Sequence, residues 1–156
     1  MAKFQATRSV SYSVEQIFGI AGNVAEYPAF LPLVKRSIVT NAVTHANGKS
    51  SCMADLQFAY PKLGISDTLR SHVVVDPATF TVTATSNEGP VKSLVSEWKI
   101  RGNAKGGSDI QFTVDYTLKS RSLQFLLSGM FEFIVRRIMT AFEERARKLY
   151  GAPVAA

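Results

Sequence analysis

Apolar residues recur at every second position through most of this chain, and at every third or fourth position in two stretches, one near its start and one at its end. The first period belongs to half-buried strands and the second to helices. Phe4, Ala6 and Val10 alternate with Gln5, Thr7 and Ser9 and predict a first strand. Ser13-Val-Glu-Gln16 then has capping-box spacing, which predicts a helix carrying Val14, Ile17, Phe18 and Ala21. Asn23-Val-Ala-Glu26 repeats that signal and predicts one short turn ending near Pro28.

Period two then dominates. Ile38, Val39 and Val43 read as a strand, and Asn47-Gly48 as a turn. Cys52, Ala54, Leu56 and Phe58 share a face, opposite Met53, Asp55 and Gln57. Leu63 to Val75 reads as the next strand, closed by Asp76-Pro77; Phe80, Val82 and Ala84 mark another, turned by Asn87 to Pro90. Leu94, Ser96, Trp98 and Ile100 share a face, as do Ile110, Phe112, Val114, Tyr116 and Leu118 beyond Gly106-Gly107. Short strands joined by turn residues predict an antiparallel meander of six to seven strands.

From about Ser122 to Tyr150 the helical period returns. Leu123, Leu127, Met130, Ile134, Ile138 and Phe142 trace one stripe, widened in the first half by Leu126, Phe131, Phe133, Val135 and Met139. A helix apolar most of the way round must be largely covered. The second half has a solvated side with Arg136, Arg137, Glu143, Glu144, Arg145, Arg147 and Lys148, and Gly151 and Pro153 end it. The expected fold is α+β and of the helix-grip type, a curved antiparallel sheet wrapped around this C-terminal helix. One helix cannot fill so curved a sheet, so a cavity is expected between them.

Asn23 to Lys35 is the most unusual stretch, with two prolines, two aromatics and several aliphatic residues. Each proline lacks an N–H and restricts the residue before it, so only a turn of helix and an extended bend fit. A stiff apolar loop either plugs a core or lines the mouth of an apolar site. The expectation is a mouth, which makes Tyr27, Pro28, Phe30, Leu31, Pro32 and Leu33 candidate ligand-binding residues. Phe58, Phe80, Trp98, Phe112 and Tyr116 point inward by phase, and Met130 and Ile134 join them from the helical stripe.

Composition narrows the function. The 156 residues fit one domain, expected over residues 1–151 with 152–156 as a short tail, and 46% apolar with 19% charged residues describes a folded globule. No run of eighteen apolar residues marks a transmembrane helix, and the N-terminus has no apolar signal core. Cys52 is the single cysteine, so an internal disulfide is excluded and a reducing, cytoplasmic setting expected. The formal charge of +6 favours anionic partners, whether membrane surface or RNA.

Catalytic chemistry finds little support. His45 precedes a turn, and His72 falls out of phase with Leu69, Val73 and Val75, on the wet side with Arg70. No carboxylate or thiol has ligand spacing with either, so no metal site is expected. Cys52 reads as a buried structural thiol with no base beside it, and Gly106-Gly107 lacks the lysine and helix of a phosphate loop. Asp55, Asp67, Asp109 and Asp115 fall mostly out of phase with the apolar face, and Glu26 reads as a helix-end acid. No catalytic residue is assigned.

Arg8 to Gln16, Val24-Ala-Glu-Tyr-Pro-Ala-Phe-Leu-Pro32, Gly89-Pro90-Val-Lys92-Ser-Leu94, Trp98 and Phe112 to Tyr116 together resemble the coenzyme Q-binding branch of the START-like, polyketide-cyclase-like superfamily. The chain departs from that pattern at Asn23, at Leu33-Val34 and at Val91. The resemblance implies a helix-grip fold with a deep apolar cavity, and a polyprenylated, ubiquinone-like quinone bound in support of quinone synthesis and respiratory electron transfer. It also includes bacterial relatives named as toxins that block association of ribosomal subunits.

The reading is therefore a carrier or chaperone for a prenylated quinone or other lipid, not an enzyme and without a catalytic cofactor, touching anionic membrane transiently, cytoplasmic or peripheral at the inner face. Ligand pockets are roughly 300–1,000 Å³, too small for all of a long polyprenyl tail. One alternative is a ribosome-binding factor using Arg136, Arg137, Arg145, Arg147 and Lys148 against RNA. The other, an aromatase or cyclase, needs acid–base groups inside the pocket.

Overall fold

The computed structural model describes residues 2–31, 33–61 and 64–152. Seven strands, β1 (Ala2–Val10), β2 (Val34–Thr44), β3 (Ser50–Tyr60), β4 (Ile65–Asp76), β5 (Thr81–Ser86), β6 (Val91–Gly102) and β7 (Ser108–Leu118), form one antiparallel sheet. Strands β2 to β7 meander, and β1 joins the far side of β7, giving the order β1-β7-β6-β5-β4-β3-β2. Between β1 and β2 lie helix α1 (Val14–Gly22) and a 3₁₀ turn (Val24–Ala29); the long helix α2 (Arg121–Tyr150) follows β7.

The capping box predicted for α1 is present: Gln16 N–H donates to Ser13 Oγ and Ser13 N–H donates to Gln16 Oε1. Its repeat at Asn23 is not, because the Asn23 side chain caps nothing and the 3₁₀ turn runs on through Pro28. Helix α2 begins one residue earlier than expected, where Ser120 Oγ accepts from Leu123 N–H. Gln124 fastens its first turn to the sheet, accepting from Leu118 N–H and donating to Tyr116 carbonyl. The helix ends at Gly151, whose φ of 80° suits a residue without Cβ; Pro153 lies outside the described residues.

The predicted β4 start at Leu63 lies outside the described residues, and β4 is seen from Ile65. One strand, β5, differs from expectation. Phe80 precedes β5 instead of belonging to it, with a φ of 52° that bulky residues rarely adopt. Its carbonyl accepts from Ile100 N–H and its ring meets Phe18 edge-on at 5.3 Å, contacts that hold it in place.

One face of the sheet carries the core. Burial along β7 alternates at every residue, with Ile110, Phe112, Val114, Tyr116 and Leu118 inward. Ile17, Ile20 and Ala21 of α1 and Val135, Met139, Phe142 and Ala146 of α2 close over that face. At the turn before β7, a Cβ on Gly107 would collide with the Val10 carbonyl, and next to it Ser108 Oγ donates to the Tyr12 carbonyl. This ties β7 to the chain leaving β1, beneath α1.

Candidate functional site

The core does not fill the space between sheet and α2. A cavity of about 530 Å³ remains, and its origin is legible in side-chain size. Ala54, Ser71, Ala84 and Ser96 hold inward positions on β3, β4, β5 and β6, and all four line the cavity. Ala54 pairs with Ser71 and Ala84 with Ser96, so small side chains cross the middle of the sheet. Larger residues stand around this hollow, among them Leu56, Phe58, Trp98, Phe112 and Tyr116. From α2, Leu123, Leu127, Phe131 and Ile138 form the roof.

One end is closed by aromatic packing. Phe142, with no exposed surface, stacks on Trp98 at 4.5 Å and meets Phe30 at 5.4 Å and Tyr27 at 6.4 Å. Tyr27 and Leu31 line the cavity here and are 7% and 8% exposed. The Tyr27 hydroxyl donates to the Ala21 carbonyl, fixing the 3₁₀ turn to α1. Burial raises its pKa above the ordinary tyrosine range, and nearby Cys52 adds to the effect. Burial likewise raises the Cys52 thiol. Outside, the Arg145 guanidinium lies over the Phe30 ring at 5.5 Å and 3.8 Å from Glu26.

The other end meets solvent. Gly64, Ser66 and Asp67 are the exposed residues of the lining, all at the β3–β4 end, while Pro90, Leu123 and Leu127 beside them are half-buried. Lys119 N–H donates to the Pro90 carbonyl, which brings the β5–β6 turn against the start of α2. The mouth therefore lies between the β3–β4 end, the β5–β6 turn and the first turns of α2.

Polar groups on the wall are few. Ser71 and Ser96 present hydroxyls, and the Tyr116 hydroxyl lies 3.3 Å from Ser128 Oγ. Burial raises the Tyr116 pKa, partly offset by that hydrogen bond. Among the described lining residues the titratable groups are Tyr27, Tyr116 and, at the rim, Asp67. Such a wall can desolvate an apolar molecule and orient a carbonyl or hydroxyl, but offers no matched acid and base.

Comparison with known proteins agrees with this architecture. Residues 10–143 match the family model described as polyketide cyclase / dehydrase and lipid transport. The chain belongs to that family. The ribosome association toxin RatA of Escherichia coli is 24% identical over 152 residues, covering 97% of this chain and 91% of that protein. The mitochondrial coenzyme Q-binding protein COQ10 of Drosophila melanogaster is 25% identical over 147 residues, covering 92% of this chain and 58% of that protein. A START superfamily protein from Mycobacterium smegmatis superposes with a TM-score of 0.79 at 18% identity, covering 94% and 98% of the two chains. The helix-grip fold and the START-like family expected from the sequence are both confirmed by these matches and by the seven-stranded sheet.

Within this family member, the structure sorts the candidate residues. Tyr27, Leu31, Phe58, Trp98, Phe112 and Tyr116 line the cavity together. Pro28, Phe30 and Leu33 do not: Phe30 packs on the outer side of Phe142, and Leu33 offers its carbonyl to Ala59 N–H at the start of β2. Pro32 lies outside the described residues. Phe80 is drawn to Phe18 by the turn before β5. Met130 and Ile134 are half-buried on α2, but the roof turns Leu127, Phe131 and Ile138 inward in their place. Tyr27, Phe30, Leu31 and Leu33 were expected at the mouth; Tyr27 instead packs on Phe142 at the closed end, while Leu33 and Val34 run beside the β3–β4 end, where the Leu33 carbonyl accepts from Ala59 N–H and Val34 pairs with Phe58.

Sequence reasoning expected the cavity but missed the small residues that place it. Ser71 and Ser96 were in phase with apolar neighbours, and their small size, with Ala54 and Ala84 on the strands beside them, was the available signal. Two departures from the family pattern, Val34 and Val91, fall on the cavity wall.

Proposed function

We propose that this protein encloses a prenylated quinone, or a lipid of similar shape, and carries it without chemical turnover. The observation behind this reading is the cavity of about 530 Å³ with an apolar wall, a few hydroxyls and one open end. Its volume falls in the usual range for small-molecule sites, roughly 300–1,000 Å³. Burying an isoprenoid chain contributes about 0.8 kcal/mol per methylene, so affinity needs no charged anchor. In this reading the hydroxyls of Ser71, Ser96 and Tyr116 on the wall meet the oxygens of a quinone ring. The relative named as coenzyme Q-binding supports the quinone as cargo, and the family description includes lipid transport. Native purification, solvent extraction and mass spectrometry test this: a co-purifying quinone is the expected result, and a cavity that stays empty beside abundant quinone overturns it.

Delivery requires a donor, and the mouth has a surface suited to membrane. Phe125 is 84% exposed, and Leu126 and Phe133 are also exposed on the outer side of the same turns that roof the cavity. Lys119 and Arg121 flank them, and no acidic residue occurs between Lys119 and Phe131. Exposed aromatic and aliphatic side chains beside cations suit the interface of an anionic bilayer. In this reading the protein is cytoplasmic and visits the inner face of the membrane. Among the described residues, no helix is long and apolar enough to cross it.

A second reading follows from the relative named as a ribosome association toxin. It would use the basic side of α2. Arg136 there donates to Glu132 at 2.6 Å, and Arg145 is engaged by Phe30 and Glu26, which leaves fewer cations for phosphates than the sequence lists. Salt-sensitive cosedimentation with ribosomal subunits would support this second reading over the first.

A further inference from the structure

A second hollow of about 460 Å³ lies between β1 and the middle of α2. Its base is apolar, made by Phe4, Ala6, Phe112, Phe131, Val135 and Met139. Charged residues stand along its rim, and they are tied to partners. Arg8 donates to Thr140 Oγ1 at 2.9 Å and to Glu143 Oε1 at 2.7 Å, and Arg136 donates to Glu132 Oε1. An apolar chain can therefore lie against the base without stripping an ion of its partner. Since β1 is an edge strand, no further strand covers this side.

Phe112 and Phe131 border both this crevice and the central cavity. Phe112 is buried against Trp98 at 4.3 Å, within the sheet. Phe131 is half-buried and stands on the helix in a row of near-parallel rings, 4.4 Å from Phe4 and 5.4 Å from Tyr116. A ring held only by stacking moves by side-chain torsion, with no backbone hydrogen bond to break. The wall between the two compartments is thus the half-buried Phe131 ring on α2 facing the buried Phe112 ring on β7.

We propose that the crevice seats the distal part of a long apolar chain whose first part lies in the central cavity, and that Phe131 is the partition that sets how long a chain is admitted. This rests on the reading of the central cavity as a lipid site and assigns the place of the remainder of the molecule. The head group and first isoprenes occupy the space under Leu123 and Leu127. The following segment passes the Phe131 ring and lies on Phe4, Ala6, Val135 and Met139. Isoprenoid or alkyl chain suits the apolar base, while Gln5 and Thr7 border the crevice beside it.

The test compares short-tailed and long-tailed quinones sharing one head group, alongside straight-chain alcohols of graded length, read by quenching of Trp98, the single tryptophan. In Phe131→Ala, the ratio of long-probe to short-probe affinity should rise about tenfold over wild type. In Ala6→Phe, which fills the crevice from the other side, long probes should lose about tenfold and short probes nothing. Unchanged short-probe binding in Ala6→Phe, and an unchanged circular-dichroism spectrum in Phe131→Ala, report that each variant folds. If the alcohols show this length dependence and quinones do not bind, the cargo reading fails and the annex stands. If Phe131→Ala changes short and long probes equally, Phe131 is plain wall and the proposal is overturned. It is equally overturned if neither series binds wild type, since an annex without an occupant is a packing gap.

Discussion

The two halves of α2 are built in opposite senses. Its first fourteen residues are the more apolar, with Leu123, Phe125, Leu126, Leu127, Met130, Phe131, Phe133 and Ile134, yet none of them is fully buried. The second half carries most of the helix's charge and contains all five of its buried residues, Val135, Met139, Ala141, Phe142 and Ala146. Hydrophobicity and burial part company along one helix. In the second half apolar side chains meet α1, the 3₁₀ turn and Trp98, and stabilise the fold. In the first half they face a hollow on one side and solvent on the other, and are free to serve a ligand and a surface.

Emptying each half in turn gives the sharpest break. Phe142→Ala removes a fully buried ring that meets three other aromatics and should cost about 3–5 kcal/mol in chemical denaturation. Leu127→Ala, over a space already hollow, should cost about 1 kcal/mol or less. Equal losses would mean the two halves do not differ as described.

Filling the hollow should have the next largest effect, on binding. Ser96→Phe places a ring in the central cavity and should weaken uptake of a quinone at least tenfold, a change of about 1.4 kcal/mol. Because space is present, its denaturation midpoint should stay near that of wild type. A strong loss of stability with uptake intact would show that Ser96 faces packed core.

The outer face of the first half is probed by Phe125→Asp. At 84% exposure the ring contributes almost nothing to folding, so stability should change by less than about 0.5 kcal/mol. Partition onto vesicles containing anionic lipid should fall about tenfold, while Val43→Asp, at an exposed position on β2, should leave it unchanged. Vesicle binding indifferent to Phe125 would remove this face from the membrane reading.

The smallest effect belongs to the packed half and depends on pH. Tyr27 has its pKa raised in the folded protein, so its contribution is complete below the unfolded tyrosine value near 10 and is lost as pH rises above it. Tyr27→Phe should cost about 1 kcal/mol at neutral pH through the lost bond to Ala21. Above pH 10 its stability should fall less steeply than that of wild type, though not remain flat, because Tyr116 is raised as well. Parallel alkaline curves for the two proteins would exclude Tyr27 as a source of the decline.

How much of this could be read beforehand depended on range. The capping box at Ser13 was legible because its four residues supply both partners of each hydrogen bond. Burial along β7 was legible because a strand's faces follow from its own alternation. Phe80 was misplaced because the turn's positive φ and the edge contact with Phe18 depend on a residue sixty positions earlier. Tyr27 was identified as a special residue and given the wrong end of the cavity, since Phe142 meets it only in the folded chain.

By itself, then, the sequence determined the order of elements, which face of each strand turns inward, and that α2 carries more apolar surface than one helix can bury. Those properties are local, fixed by side chains within a few positions of one another. Only the tertiary structure decided where the hollow lies, which end is sealed, and which apolar residues become wall, plug or exposed lip. These depend on the small side chains of four strands meeting across one sheet, and on whether a helix residue faces packed aromatics or empty space. No periodicity along the chain records that distinction, because it is a property of what stands opposite.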